Sequence, residues 1–174
     1  FMALPLQRDF YARNLKNAKE RTVVIISDAM RYEVGKELFR RMQDDPKCTA
    51  KLEVQLSVLP SYTRLGMAAL LPHAELTMTD DFKVLIDGMP CDNLAEREAV
   101  LNKYSKDSTC VQFDNIKSLK VVELRSIFTG KQVVYVYHNQ IDARGDKPNT
   151  EDEVFVACQE AIAEIIDLIR RIST

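Results

Sequence analysis

The chain has 174 residues, 46% hydrophobic and 29% charged, an ordinary composition for a globular protein with material for one domain and a core. A net charge of −2 offers no field to draw it onto nucleic acid or an anionic membrane, and no apolar run approaches the ~20 residues of a membrane span. The first residues given do not read as a basic-then-apolar leader, and Cys48, Cys91, Cys110 and Cys158 contain no C-x-x-C pair, which argues against a zinc knuckle or redox dithiol and leaves reduced, mostly structural thiols in a cytoplasmic protein as the expectation.

Phe1-Met2 reads as a remnant of an expressed fragment and carries no fold information. Residues 1–20 form a helical lead-in, with Phe10, Tyr11 and Leu15 at helical spacing. Thr22–Ser27, a run of β-branched residues, predicts a strand buried on both faces. A helix follows, with Met30, Val34, Leu38 and Met42 on one stripe. Leu52–Leu59 alternates like a strand, and "SYTRLGMAALL" reads as a short helix stopped by Pro72.

Phe82–Gly88 predicts a further strand, "LAEREAVLNKY" a helix, "STCVQF" a strand and "VVELRSIF" a helix. Gln132–Tyr137 is the last strand. The final helix has Thr150 and Glu153 as a capping box and Phe155, Cys158, Ile162, Ile165 and Ile169 on one face. Strands alternating with helices predict a single α/β domain over 1–174, with a mostly parallel sheet and helices on both faces.

In such a sheet, ligands bind beyond the carboxyl ends of the strands. Asp28 stands at the first of these ends, either as an N-cap or as a carboxylate ligand for a divalent metal. Ser61 and Thr63 follow the second, either as N-caps or with a hydroxyl placed for phosphoryl transfer. The third ends at His138-Asn139 and runs into "DARGD". A tight turn at Gly145 brings Asp142 and Asp146 to one locus, whereas a solvated loop does not. His138 is open to three roles: ligand, orienter of a ligand, or hydrogen-bonded structure. No phosphate-binding glycine loop and no G-x-S-x-G elbow is present.

"VVIISDAMRYEVGKEL", "LSVLPSYTRLGMAALLPH", "VVYVYHNQIDARGDK" and "TEDEVFVACQEAIAEI" resemble the PglZ family, proteins of bacteriophage-exclusion (BREX) defence systems assigned to the alkaline phosphatase superfamily. The resemblance runs from about Thr22 onward. It implies a two-metal phosphoester hydrolase with an alkaline-phosphatase-like core. In that frame Thr63 matches the nucleophile, supported by Ser61 and Arg64, and Asp28 matches a metal ligand. Asp142 and Asp146 match the D-x-x-G-H ligand motif with Asp in place of His. Zinc is the family's metal, and Asp146 shifts the preference toward Mg²⁺ or Mn²⁺. The superfamily's other ligands have no counterpart before Thr174, so a partial domain with weak or no activity of its own is expected. Partners implied are other phage-defence proteins and a phosphoester substrate; a non-catalytic scaffold in a defence complex is the alternative.

Overall fold

The computed structural model describes residues 3–145 and 151–173. A 3-10 turn at Gln7–Asp9 leads into helix α1 (Phe10–Asn14), and Tyr11 and Leu15 are buried there. Strand β1 (Thr22–Ser27) precedes helix α2 (Tyr32–Gln43), and α3 spans Thr63–Ala69. Next come β2 (Leu76–Met78), β3 (Val84–Ile86) and β4 (Met89–Pro90), then α4 (Leu94–Tyr104) and β5 (Thr109–Gln112). The described chain closes with α5 (Phe113–Ile116), α6 (Val121–Phe128), β6 (Val133–His138), α7 (Gln140–Gly145) and α8 (Glu151–Ser173).

The fold is α/β, with a parallel three-stranded sheet in the order β1-β6-β5. β6 is central and every one of its residues is buried. That is what a parallel strand flanked on both sides and covered on both faces requires, and it accounts for the unbroken apolar run in its sequence. β1 lies at the edge of this order, and it buries Val24 and Ile26 while the alternate residues stay half-buried. The burial on both faces expected of β1 is therefore found in β6 instead.

Leu52–Leu59 does not form the predicted strand. Leu56 makes one isolated parallel bridge to Leu6, through Gln7 N–H to Leu56 O at 2.8 Å and Leu56 N–H to Pro5 O at 2.8 Å. Its alternating side chains are exposed at Val54, Leu56 and Leu59, so neither face is buried and no ladder grows.

Phe82–Gly88 is also a different object from the one predicted. Its strand is short, Val84–Ile86, and pairs antiparallel with β2 and β4 in a separate sheet. Asp87 (φ 51°) and Gly88 (φ 77°) both have positive φ, the two-residue hairpin geometry that Asp-Gly favours. Asp87 then accepts hydrogen bonds from the amides of Ala74 at 3.0 Å and Glu75 at 2.8 Å, and from the Tyr104 hydroxyl.

The chain divides into two compact units, residues 1–24, 54–111 and 130–135 in one, and 25–53, 112–129 and 136–174 in the other. The first has a core including Leu71, Ile86, Val100 and Leu101. In it Asn93 accepts the Glu96 amide (2.9 Å) while Glu96 accepts the Asp92 amide (2.8 Å), which fixes where α4 begins. Glu98 takes the Thr109 hydroxyl (2.6 Å) and the Cys110 amide (2.9 Å). Asn102 exchanges two hydrogen bonds with the backbone of Ser108, donating to its carbonyl at 2.9 Å and accepting its amide at 3.1 Å. The helix is thus keyed to the start of β5.

In the second unit α8 packs against α2, α6 and α7. Its buried face is Ala157, Ala161, Ile162, Ile165 and Leu168, while Phe155 is 65% exposed and Cys158 and Ile169 are half-buried. The predicted stripe holds at Ile162 and Ile165 and fails at Phe155, with Ala157, Ala161 and Leu168 completing the buried face. The predicted cap, Thr150, lies outside the described residues. All four cysteines are free thiols, and burial pushes the Cys91 thiol up to about 11, away from reactivity. Among the described residues no helix is long and apolar enough to cross a membrane.

Burial works against the charge on Asp87, but the Tyr104 hydroxyl and the two amides outweigh it and hold the carboxyl below its ordinary value. Asp87→Asn keeps the shape and the tolerance for positive φ but removes the charge, and is expected to lower stability by about 1 kcal/mol at neutral pH. Because the folded pKa is depressed, that difference is present above the unfolded value of about 4 and disappears as the pH falls through the folded one. Urea midpoints measured from pH 7 down to pH 3 check this; a difference that persists undiminished into acid removes the charge from the account.

Candidate functional site

Asp28 directly follows β1, and its amide donates to the carbonyl of His138 at 2.9 Å, continuing the pairing of β1 with β6 to the last residue. The chain then turns sharply. Ala29 has φ 60°, a left-handed conformation unfavourable for a residue with a Cβ, and its amide donates to Asp28 Oδ1 at 2.9 Å. The first residue of α2 is Tyr32 and its N-cap is Arg31. The N-cap alternative for Asp28 is therefore excluded, and this carboxylate stands on a strained strand tip.

Thr63 is exposed and is the first residue of α3, whose N-cap is Tyr62 with no side-chain cap hydrogen bond. Ser61 is exposed too. Neither hydroxyl is spent on capping. The helix is tied down by other atoms: Gly66 N–H donates to Tyr62 O at 2.9 Å, and Gln7 Nε2 donates to Gly66 O at 3.3 Å. Arg64 lies 3.7 Å from the Asp92 carboxylate, both side chains well exposed, a pair worth little in water.

Residues 140–145, which include the first four of "DARGD", are helical in α7, and Asp142 is half-buried in its first turn. The reason is local: the amide of Ala143 reaches the Asn139 carbonyl at 3.0 Å, so the helical hydrogen bonding starts at once after β6. Asn139 is exposed. Asp146 lies outside the described residues.

His138 is 1% exposed, and both ring nitrogens have partners. Nδ1 is 2.9 Å from Ser27 Oγ, Nε2 is 2.9 Å from Glu164 Oε2, and the ring stands edge-on to Phe113 with centroids 4.8 Å apart. Ser27 and Glu164 went unassigned in the sequence. No local pattern marks Glu164, whose side chain is half-buried beside Ile162 and Ile165 on α8. Nearby, Gln140 donates to Asp114 at 2.8 Å, and Asp114 accepts Lys117 at 2.7 Å, which raises the Lys117 ammonium above its ordinary value.

Of the residues singled out in the sequence, Asp28, His138, Asn139 and Asp142 belong to the second compact unit, and Ser61, Thr63 and Arg64 to the first. Among the described residues no group of three or more His, Cys, Asp or Glu side chains could hold a metal ion. The described carboxylates are hard oxygen donors of the right kind, but they do not complete a site.

A model of the BREX system PglZ alkaline phosphatase-like domain matches residues 9–174. The chain is 40% identical over 169 residues to the alkaline phosphatase-like protein PglZ of Bacillus cereus (strain H3081.97), covering 95% of this chain and 20% of that protein. It is 39% identical over 176 residues to the alkaline phosphatase-like protein BrxZ of Escherichia coli O9:H4 (strain HS), covering 97% of this chain and 20% of that one. It thus spans about a fifth of the length of these curated relatives. No solved structure matches it.

Since Thr63 neither caps α3 nor is buried, Thr63→Ala is expected to change stability by less than about 0.5 kcal/mol. Denaturant midpoints of the two proteins check this; a loss above ~1 kcal/mol would give the side chain a structural role that the geometry does not provide.

Proposed function

The chain belongs to the PglZ family, and from that premise we propose that it contributes to a metal-dependent phosphoester hydrolase of a BREX phage-defence system, with Thr63 as the nucleophile. Supporting this is the family match over residues 9–174 together with an exposed threonine at the head of α3. A hydroxyl is a weak nucleophile at its own pKa and needs a base or a metal beside it. Asp28, Asp142 and Asp146 are the proposed oxygen ligands, with Ser61 and Arg64 supporting Thr63. When bound, a divalent metal supplies a positive charge that lowers the pKa of the attacking oxygen and offsets charge on the phosphoryl group. An all-carboxylate set favours Mg²⁺ or Mn²⁺ over the Zn²⁺ of the wider superfamily. This reading requires further ligands beyond the described residues, and the chain by itself is accordingly expected to be inactive. Its proposed partners are other proteins of the defence system, and its proposed location, in keeping with four free thiols, is the cytoplasm.

A second reading, a non-catalytic scaffold that keeps the phosphatase fold for assembly, is favoured by the lack of a three-ligand cluster among the described residues. The two readings separate in a protein of the relatives' length that carries this chain. Under the first, Thr63→Ala lowers metal-dependent phosphoester hydrolysis by on the order of 10³-fold or more, and Thr63→Ser retains most of it. Undiminished turnover in Thr63→Ala removes Thr63 as nucleophile. Calorimetry that detects no binding of Zn²⁺, Mn²⁺ or Mg²⁺ favours the scaffold.

A further inference from the structure

One constellation, centred on a buried histidine, is left over once the proposed nucleophile and ligands are assigned. Three side chains far apart in sequence, Ser27, His138 and Glu164, are joined through the two nitrogens of one imidazole, at 2.9 Å on each side. Each comes from a different element, β1, β6 and α8. The His138 side chain has no solvent exposure, and that of Glu164 has 32%. Water therefore cannot stand in for either partner at the ring, and Phe113 closes its flank.

The chemistry of the partners sets the proton positions. A carboxylate oxygen only accepts, so Nε2 carries the hydrogen that points to Glu164. In the neutral ring Nδ1 is then the acceptor, and the Ser27 hydroxyl donates to it. Ser27 immediately precedes Asp28, whose amide is bonded to the carbonyl of the same His138. Side chain and backbone of His138 thus grip the last residue of β1 and the one after it, just before the left-handed turn at Ala29.

We infer that Glu164, His138 and Ser27 form a positioning relay that fixes the strand tip bearing Asp28, with His138 serving as a hydrogen-bonded link and not as a metal ligand. The inference rests on the proposed function only in taking Asp28 as a working residue. Glu164 sets the tautomer, the tautomer makes Nδ1 an acceptor, and the acceptor holds Ser27 in one rotamer. Neither Ser27 nor Glu164 is given a chemical step.

The chain has two histidines, His73 and His138, so ¹⁵N-histidine labelling gives two ring systems, and His73→Gln assigns them. The expected spectrum places the His138 proton on Nε2 and a hydrogen-bonded acceptor at Nδ1. Ser27→Ala should move Nδ1 to the position of an unbonded acceptor and speed exchange of the Asp28 amide roughly fivefold. Ser27→Thr should restore both. Glu164→Ala should populate both tautomers; if that variant does not fold, Glu164→Gln, which keeps the shape and loses the charge, should speed exchange of the Nε2 proton. A wild-type proton on Nδ1 overturns the relay, as do ring signals and Asp28 exchange that are unchanged in the Ser27 and Glu164 variants. These readings need neither metal nor substrate. An inert Thr63→Ala effect on hydrolysis with these spectra intact removes the proposed nucleophile and leaves the relay standing, and altered spectra with the Thr63 effect intact do the reverse.

Discussion

No residue of β6 reaches water, and the rest of the structure answers to that constraint. A strand with nothing exposed must find a protein partner for each polar group it carries, since an orphaned buried donor or acceptor costs about as much as several good contacts gain. Its backbone is served by a strand on each side. The Tyr135 hydroxyl donates to the Leu70 carbonyl at 2.7 Å. The imidazole of His138, at the strand's last position, has the hardest requirement, two opposite hydrogen-bonding needs on one rigid ring. Meeting both takes a hydroxyl from β1 and a carboxylate from α8.

The sequence was most legible where local and tertiary demands agree. β1 and the helices Leu94–Tyr104 and Val121–Phe128 stand where their patterns put them, and β6 runs one residue further than predicted, to His138. It was least legible where a pattern needs a partner that the pattern does not name. Leu52–Leu59 alternates as a strand should, but alternation says only which residues share a face, and here neither face is covered. On α8 the pattern placed Ile162 and Ile165 in the core correctly, but it did not show that Phe155 lies outside it or that Ala157 and Ala161 lie inside. The hairpin after Val84–Ile86 has its signal in Asp87-Gly88, but its second strand, Met89–Pro90, is too short to show a period of two.

The candidate site divides along the same line. That Asp28 and Thr63 hold no helix cap is visible only in the structure, because Ser, Thr and Asp before a helix are caps more often than not. The family resemblance put both residues in order, and the family match agrees with it over nearly the whole chain. Glu164 was out of reach for a different reason. It stands 26 residues beyond His138 in a helix with a plain amphipathic pattern, and only packing reveals which of that helix's carboxylates turns inward.

The exchange between Asn102 and the backbone of Ser108 has a consequence of its own. A side-chain amide has a donor and an acceptor at the spacing of a peptide group, so Asn102 acts there as one extra rung of a ladder lent by a helix. Such a rung is a register mark: sliding the chain by one residue leaves both of its atoms facing groups of the wrong kind. It is also a point of chemical ageing. Deamidation exchanges one nitrogen for oxygen, turns the donor toward the Ser108 carbonyl into a second acceptor, and erases the mark without altering the outline of the side chain.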